Sequence, residues 1–135
     1  PVSGLLIASA FAPHPIELVV SNLGELPWVH LTLHWLDRLS IPYSMQAIGH
    51  SKYRFVMQGS KELAAFHYSV PGDFSSAAFP IAAALVTDSE LFLEAIDMDD
   101  PQGDKEIIFV LQKMGAKLEI CHKTKTLHVQ KGSKL

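Results

Sequence analysis

A carboxylate and two hydroxyls at the start of an apolar stretch give this 135-residue chain its clearest opening for chemistry: Val70-Pro71-Gly72-Asp73-Phe74-Ser75-Ser76-Ala77-Ala78-Phe79. Free amides and hydroxyls at a helix N-terminus can hold an oxyanion. Asp73 can cap the helix by accepting from its first amides, or it can take a proton or a hydroxyl hydrogen bond from a ligand. Capping is the plainer reading. The segment is not a P-loop, because it lacks the Gly-Lys-Ser/Thr ending.

Three other groups carry less. His30 and His34 lie four apart on a helical pattern and share a face with Asp37, which is the spacing of a metal-binding pair. The opposite face carries Trp28, Leu31, Trp35, Leu36 and Leu39, and no third ligand is evident, so the histidines read as a solvated polar face. Asp97-Met98-Asp99-Asp100 resembles the start of a calcium loop, but Pro101 sits where a ligand belongs and Gly103 comes one position late. Capping and solvation are expected there. Cys121 falls on a predicted strand, where a packed thiol is expected rather than a nucleophile.

The elements that must place these residues follow from hydrophobic periodicity. A first pass predicts a helix over 2–12, a strand over 16–20, a helix over 27–39, and strands over 43–48 and 53–57. A second predicts a strand over 65–70, a helix over 74–86, a strand over 90–96, a helix ending at Met114, and strands over 117–122 and 126–130. Sliding the chain until Leu36 falls on Leu111 also lays Leu39 on Met114 and Ser40 on Gly115. The expected unit is therefore β-α-β-α-β-β, with the opening strand missing from the first copy. Asp100-Pro101 suits an N-cap and first helical position, Gly115 a left-handed helix end, and Pro42 a stop to the helix before it. Gln58-Gly59-Ser60-Lys61-Glu62 reads as a linker, giving units 1–60 and 61–135.

Composition narrows the class. The chain is 48% hydrophobic with a formal net charge of -3, and no stretch is strongly basic, so neither nucleic acid nor a membrane surface is an expected partner. It reads as a globular α/β protein. A single cysteine rules out an internal disulfide and fits a reducing, cytoplasmic setting. The opening Val2 to Ala12 is apolar but has no basic leader, and reads as a helix entered partway rather than an export signal. The apolar run from Ala77 to Val86 is too short to span a bilayer.

Val70 to Phe79 closely resembles the Gly-Asp-x-Ser-Ser-Ala segment of the 5-enolpyruvylshikimate-3-phosphate synthases. Gln102-Gly103-Asp104 with Leu111-Gln112-Lys113-Met114-Gly115-Ala116 is similar to a later helix of the same unit in that family. Ser3-Gly4-Leu5-Leu6-Ile7-Ala8-Ser9-Ala10 resembles the helix that follows its Ser-Gln substrate motif. The resemblance is collinear over essentially the whole chain.

It implies six repeated β-α-β-α-β-β units in two domains with a cleft between them, of which this chain would be an internal fragment. Residues 1–60 would then be most of one unit from one domain, and 61–135 a whole unit from the other. The implied reaction of the parent, a 3-phosphoshikimate 1-carboxyvinyltransferase, moves the enolpyruvyl group of phosphoenolpyruvate to the 5-hydroxyl of shikimate 3-phosphate and releases phosphate, in aromatic amino-acid biosynthesis. No metal or organic cofactor is implied. The family's Ser-Lys-Pro-Tyr falls on Glu25-Leu26-Pro27-Trp28, altering both phosphate contacts. Glu25, Trp28, Asp73, Ser75 and Ser76 are the expected substrate-binding residues. The family's catalytic base and its Lys and Arg clusters have no counterpart here, so the isolated chain is expected to be inactive. The competing reading is a non-catalytic duplicated α/β packing module.

Overall fold

The computed structural model describes residues 1–24, 26–59 and 62–133. They divide into two compact units, Pro1–His67 and Tyr68–Leu135. Both are mixed α/β with a small antiparallel sheet.

In the first unit the order is α1 (Val2–Ala10), β1 (Ile16–Ser21), α2 (Leu26–Arg38), β2 (Tyr43–Gly49) and β3 (Lys52–Met57). The sheet order is β1-β3-β2, so the central strand is the last one made. Burial alternates along β1, as a strand with one solvated face requires. Phe55 and Met57 of β3 are fully buried against Leu6 and Ala10 of α1 and Val29, Leu33 and Leu36 of α2. Burying a side chain of this size contributes about 1.5–3 kcal/mol, and the central strand contributes two.

The second unit runs α3 (Phe74–Val86), β4 (Leu91–Leu93), a 3₁₀ turn (Gly103–Lys105), α4 (Glu106–Met114), β5 (Leu118–Cys121) and β6 (Thr126–Val129). Its sheet order is β4-β6-β5. Leu127 and Val129 of the central strand are fully buried against Phe74 and Ile81 of α3 and Ile108 of α4. Pro80 lies inside α3 without ending it.

Three expectations are corrected. Residues 65–70 form no strand: an extended segment becomes one only by exchanging backbone hydrogen bonds with a neighbour, and this segment enters no ladder among the described residues. Its Phe66 ring instead packs against Trp35, at 6.4 Å between centroids. β4 ends at Leu93 rather than Ile96, because Ala95 adopts a left-handed φ of 59° that breaks the strand geometry. The helix after Pro101 begins with the 3₁₀ turn at Gly103, and Asp100 does not cap it: its Oδ1 accepts from the Gln102 amide at 3.1 Å and closes a turn before the helix. Of the expected linker, Ser60 and Lys61 lie outside the described residues.

The two second helices end alike. Ile41 N–H donates to Leu36 O at 2.8 Å and Ser40 N–H to Asp37 O at 2.9 Å, while Ala116 N–H donates to Leu111 O at 2.9 Å and Gly115 N–H to Gln112 O at 3.1 Å. Each pair is the crossed arrangement that closes a helix with a left-handed residue. Gly115 takes that conformation, φ 107°, without a Cβ to oppose it, whereas Ser40 takes it at φ 54° with one. Ser40→Gly should therefore stabilise the chain by about 0.5–1 kcal/mol, and Gly115→Ala should destabilise it by about 1 kcal/mol. Urea denaturation of the two variants reads both signs.

Candidate functional site

Asp73 caps α3 in an extended conformation, φ -85° and ψ 120°. Its Oδ1 accepts from Ser75 N–H at 3.3 Å and its Oδ2 from Ser76 N–H at 3.0 Å. The Ser75 and Ser76 hydroxyls also donate to Oδ2, at 2.7 and 2.5 Å. Asp73, Ser75 and Ser76 are thus brought together as one turn, exposed at the helix start. The Ser76 and Ser75 hydroxyls, then the Ser76 amide, hold the carboxyl down to about 2, so it stays ionised through the neutral range.

This arrangement is the expected cap, and it leaves no room for the alternative of an oxyanion site at the terminus. The Phe74 amide donates to Gln102 Oε1 at 2.9 Å, the Ser75 and Ser76 amides donate to Asp73, and Ala77 N–H makes the first helical bond to Asp73 O at 2.9 Å. No first-turn amide is left for an anion. The ionised carboxylate would repel one, and both serine hydroxyls already spend their protons on it. Oδ2 accepts three hydrogen bonds and Oδ1 one long one, so Oδ1 is the oxygen with acceptor capacity left for a donor from outside. The turn suits a hydroxyl, not a phosphate.

The backbone before the cap is fixed from a distance in sequence. Gly72 N–H donates to Ala95 O at 2.7 Å, an acceptor that the left-handed Ala95 turns toward it. A Cβ on Gly72 would stand 3.2 Å from both Ala95 O and Ile96 Cδ1, so this close approach suits glycine. Gln102 Nε2 donates to Gly72 O at 3.0 Å, so one carboxamide holds Gly72 and Phe74 together. Lys105 donates to Asp100 O at 2.7 Å and Met98 O at 2.9 Å, bracing the loop from which Gln102 projects. Sequence reasoning missed Gln102. The available signal was a carboxamide between Pro101 and Gly103, where a loop-facing donor and acceptor has room to reach.

Trp28 belongs to the first unit. It is 46% exposed and lines a cavity of about 350 Å³ with Pro1, Val2 and Ser3 at the start of α1 and Val20 to Gly24. Glu25 lies outside the described residues. Among the described residues no three His, Cys, Asp or Glu side chains are grouped to hold a metal, and Asp37 accepts from the Tyr43 hydroxyl at 3.1 Å. Asp97 serves the loop it sits in, accepting from Asp99 N–H at 3.1 Å and pairing with Lys125 at 2.6 Å. The packed-thiol expectation for Cys121 is corrected: the thiol is exposed at the end of β5, and hydrogen bonds from the Thr124 side chain and backbone lower its pKa. No helix among the described residues is long and apolar enough to cross a membrane.

The depressed Asp73 pKa has a definite sign for stability. The folded value of about 2 lies below the ordinary 3.8, so its contribution is complete above pH 3.8 and is lost as pH falls toward 2. The stability difference between the native chain and Asp73→Ala should therefore be constant from neutral pH down to about pH 4 and shrink below it. Denaturation midpoints across that range check this.

The family described as EPSP synthase (3-phosphoshikimate 1-carboxyvinyltransferase) matches residues 2–135. The chain is similar to the 3-phosphoshikimate 1-carboxyvinyltransferase of Acetivibrio thermocellus, 39% identical over 119 residues, covering 88% of this chain and 27% of that protein. It is 45% identical over 118 residues to the enzyme of the same name from Chlamydia abortus, covering 86% of this chain and 25% of the relative. Against that of Ruminiclostridium cellulolyticum the identity is 36% over 121 residues, covering 90% and 28%. The chain thus spans about a quarter of the length of the curated relatives it matches. With a match that runs from residue 2 to residue 135, the chain belongs to the EPSP synthase family.

Proposed function

We propose that this chain is a fragment of a longer enolpyruvyl transferase, which moves the enolpyruvyl group of phosphoenolpyruvate to the 5-hydroxyl of shikimate 3-phosphate through a tetrahedral intermediate and releases phosphate. The observation that carries this reading is the Asp73 turn: an ionised acceptor, held by two serines, at an exposed helix start in the segment that resembles the family's motif. In the proposed enzyme Asp73 Oδ1 accepts a hydrogen bond from a substrate hydroxyl and orients it, while Ser75 and Ser76 hold the carboxylate in its ionised form. The phosphates and carboxylates of the two substrates require cations, which other parts of the parent chain would provide. The 135 residues alone are not proposed to be active.

The Trp28 cavity is proposed to contribute the second contact. Trp28 offers an aromatic face to a carbocyclic ring beside the polar Asn22 and Ser21. The two units are proposed to be copies of the β-α-β-α-β-β repeat, one from each domain of the parent, with a cytoplasmic setting. Their common order α-β-α-β-β, the sheet orders β1-β3-β2 and β4-β6-β5, and the paired helix endings support this. Leu5, Ile7 and Phe11 in the first unit and Phe79 and Val86 in the second are exposed apolar side chains, which the remaining units of the parent would cover. Family membership does not favour the alternative of a non-catalytic packing module.

Asp73→Asn in the full-length enzyme tests the reading. The amide keeps an acceptor for the cap but loses the charge, so kcat/KM for shikimate 3-phosphate should fall about a hundredfold while the thermal midpoint drops only a few degrees. Normal turnover by this variant would reduce Asp73 to a cap.

A further inference from the structure

We infer that Gln102 is a positioning residue for the proposed reaction, setting the direction in which the Asp73 carboxylate points. The inference rests on the cleft role proposed for Asp73 and adds to it the group that fixes that residue's backbone.

The geometry is specific. Gln102 Nε2 donates to Gly72 O at 3.0 Å, and Gln102 Oε1 accepts from Phe74 N–H at 2.9 Å. Gly72 C=O lies in the peptide plane before Asp73 and Phe74 N–H in the plane after it. Peptide units are rigid, so the rotation of one plane against the other is the φ and ψ of Asp73 itself. One carboxamide, from a loop 28 to 30 residues away, therefore fixes both dihedrals of the residue between them. The cap does not require this. Asp73 already satisfies the Ser75 and Ser76 amides through its own side chain, and a water molecule could serve Phe74 N–H. What the carboxamide adds is a single orientation.

The side chain is also suited by type. A carboxamide offers a donor and an acceptor from one planar end, matching a carbonyl on one side and an amide on the other. An ionised glutamate could keep the Phe74 contact but would set a second acceptor against the Gly72 carbonyl. Methionine keeps the length and loses both bonds. Gln102 is in turn anchored, its own N–H donating to Asp100 Oδ1 at 3.1 Å, with Lys105 tying Asp100 O and Met98 O beneath it.

The test compares Gln102→Met, Gln102→Glu and Asp73→Asn in the full-length enzyme, reading kcat, KM and thermal midpoint for each. Gln102→Met should lower kcat roughly ten- to a hundredfold, the scale expected when a reacting geometry is misplaced, with the midpoint only a few degrees lower. Gln102→Glu should be impaired at neutral pH and regain turnover relative to the native enzyme as pH falls toward the glutamate range, because a protonated carboxyl again offers one donor and one acceptor. This acid recovery carries the test even if Gln102→Met does not fold. Native kcat in both Gln102 variants, with only the midpoint lowered, would make the clamp a stabilising contact and overturn the inference. If Asp73→Asn alone loses turnover, Gln102 has no positioning role while the reading of Asp73 stands. If Asp73→Asn keeps turnover, that reading falls and the inference falls with it.

Discussion

The amides that open a helix have no partner inside it, and the way α3 answers that constraint determines what its N-terminus can do. Phe74 N–H is taken by Gln102, and Ser75 and Ser76 N–H by Asp73. Had these amides been open, the helix end would have been an anion site of a common kind. Filled as they are, the terminus carries a fixed negative charge and an oxygen still able to accept. Its chemistry changes from that of an anion site to that of a hydrogen-bond acceptor.

The constraint reaches back through the packing. Gln102 can grip Gly72 and Phe74 only because the loop after β4 is folded against the start of α3. Gly72 N–H bonds Ala95 O, Ile96 N–H bonds Lys125 O at 2.8 Å, and Asp97 pairs with Lys125. Ile96 and Met98 are buried in the same core as Phe74 and Ile81, so the apolar packing that holds the unit together also holds this loop in register with the cap. Ala95 and Lys125, at φ 59° and 54°, both hold left-handed backbone there and carry strain.

Much of this was legible in the sequence because local signals agreed. The limits of α3, Phe74 and Val86, follow from an N-cap residue standing directly before an apolar run, and Gly115 marks the end of α4 by conformation alone. The strands β2, β3, β5 and β6 lie within a few residues of their alternating patterns. What the sequence hid depends on contacts between distant segments. Residues 65–70 have the composition of a strand but no ladder, and composition cannot supply a neighbour. Cys121 sits on a strand whose alternation turns it outward rather than into the core. The Phe74 amide looks free in sequence, since the side chain that fills it comes from the far side of β4. Trp28 and Asp73 were both readable as candidates, whereas Gln102 stood in the sequence only as part of a family-like segment and shows what it holds only through its two bonds.

The most direct measurement is a crystal structure of the full-length enzyme with shikimate 3-phosphate bound. Asp73 Oδ1 should lie about 2.5–3.0 Å from a hydroxyl of the ligand, with the Ser75, Ser76 and Gln102 contacts intact. A phosphate seated on the amides of Phe74, Ser75 and Ser76 with Asp73 swung away, or a ligand bound beyond reach of Asp73, would contradict it.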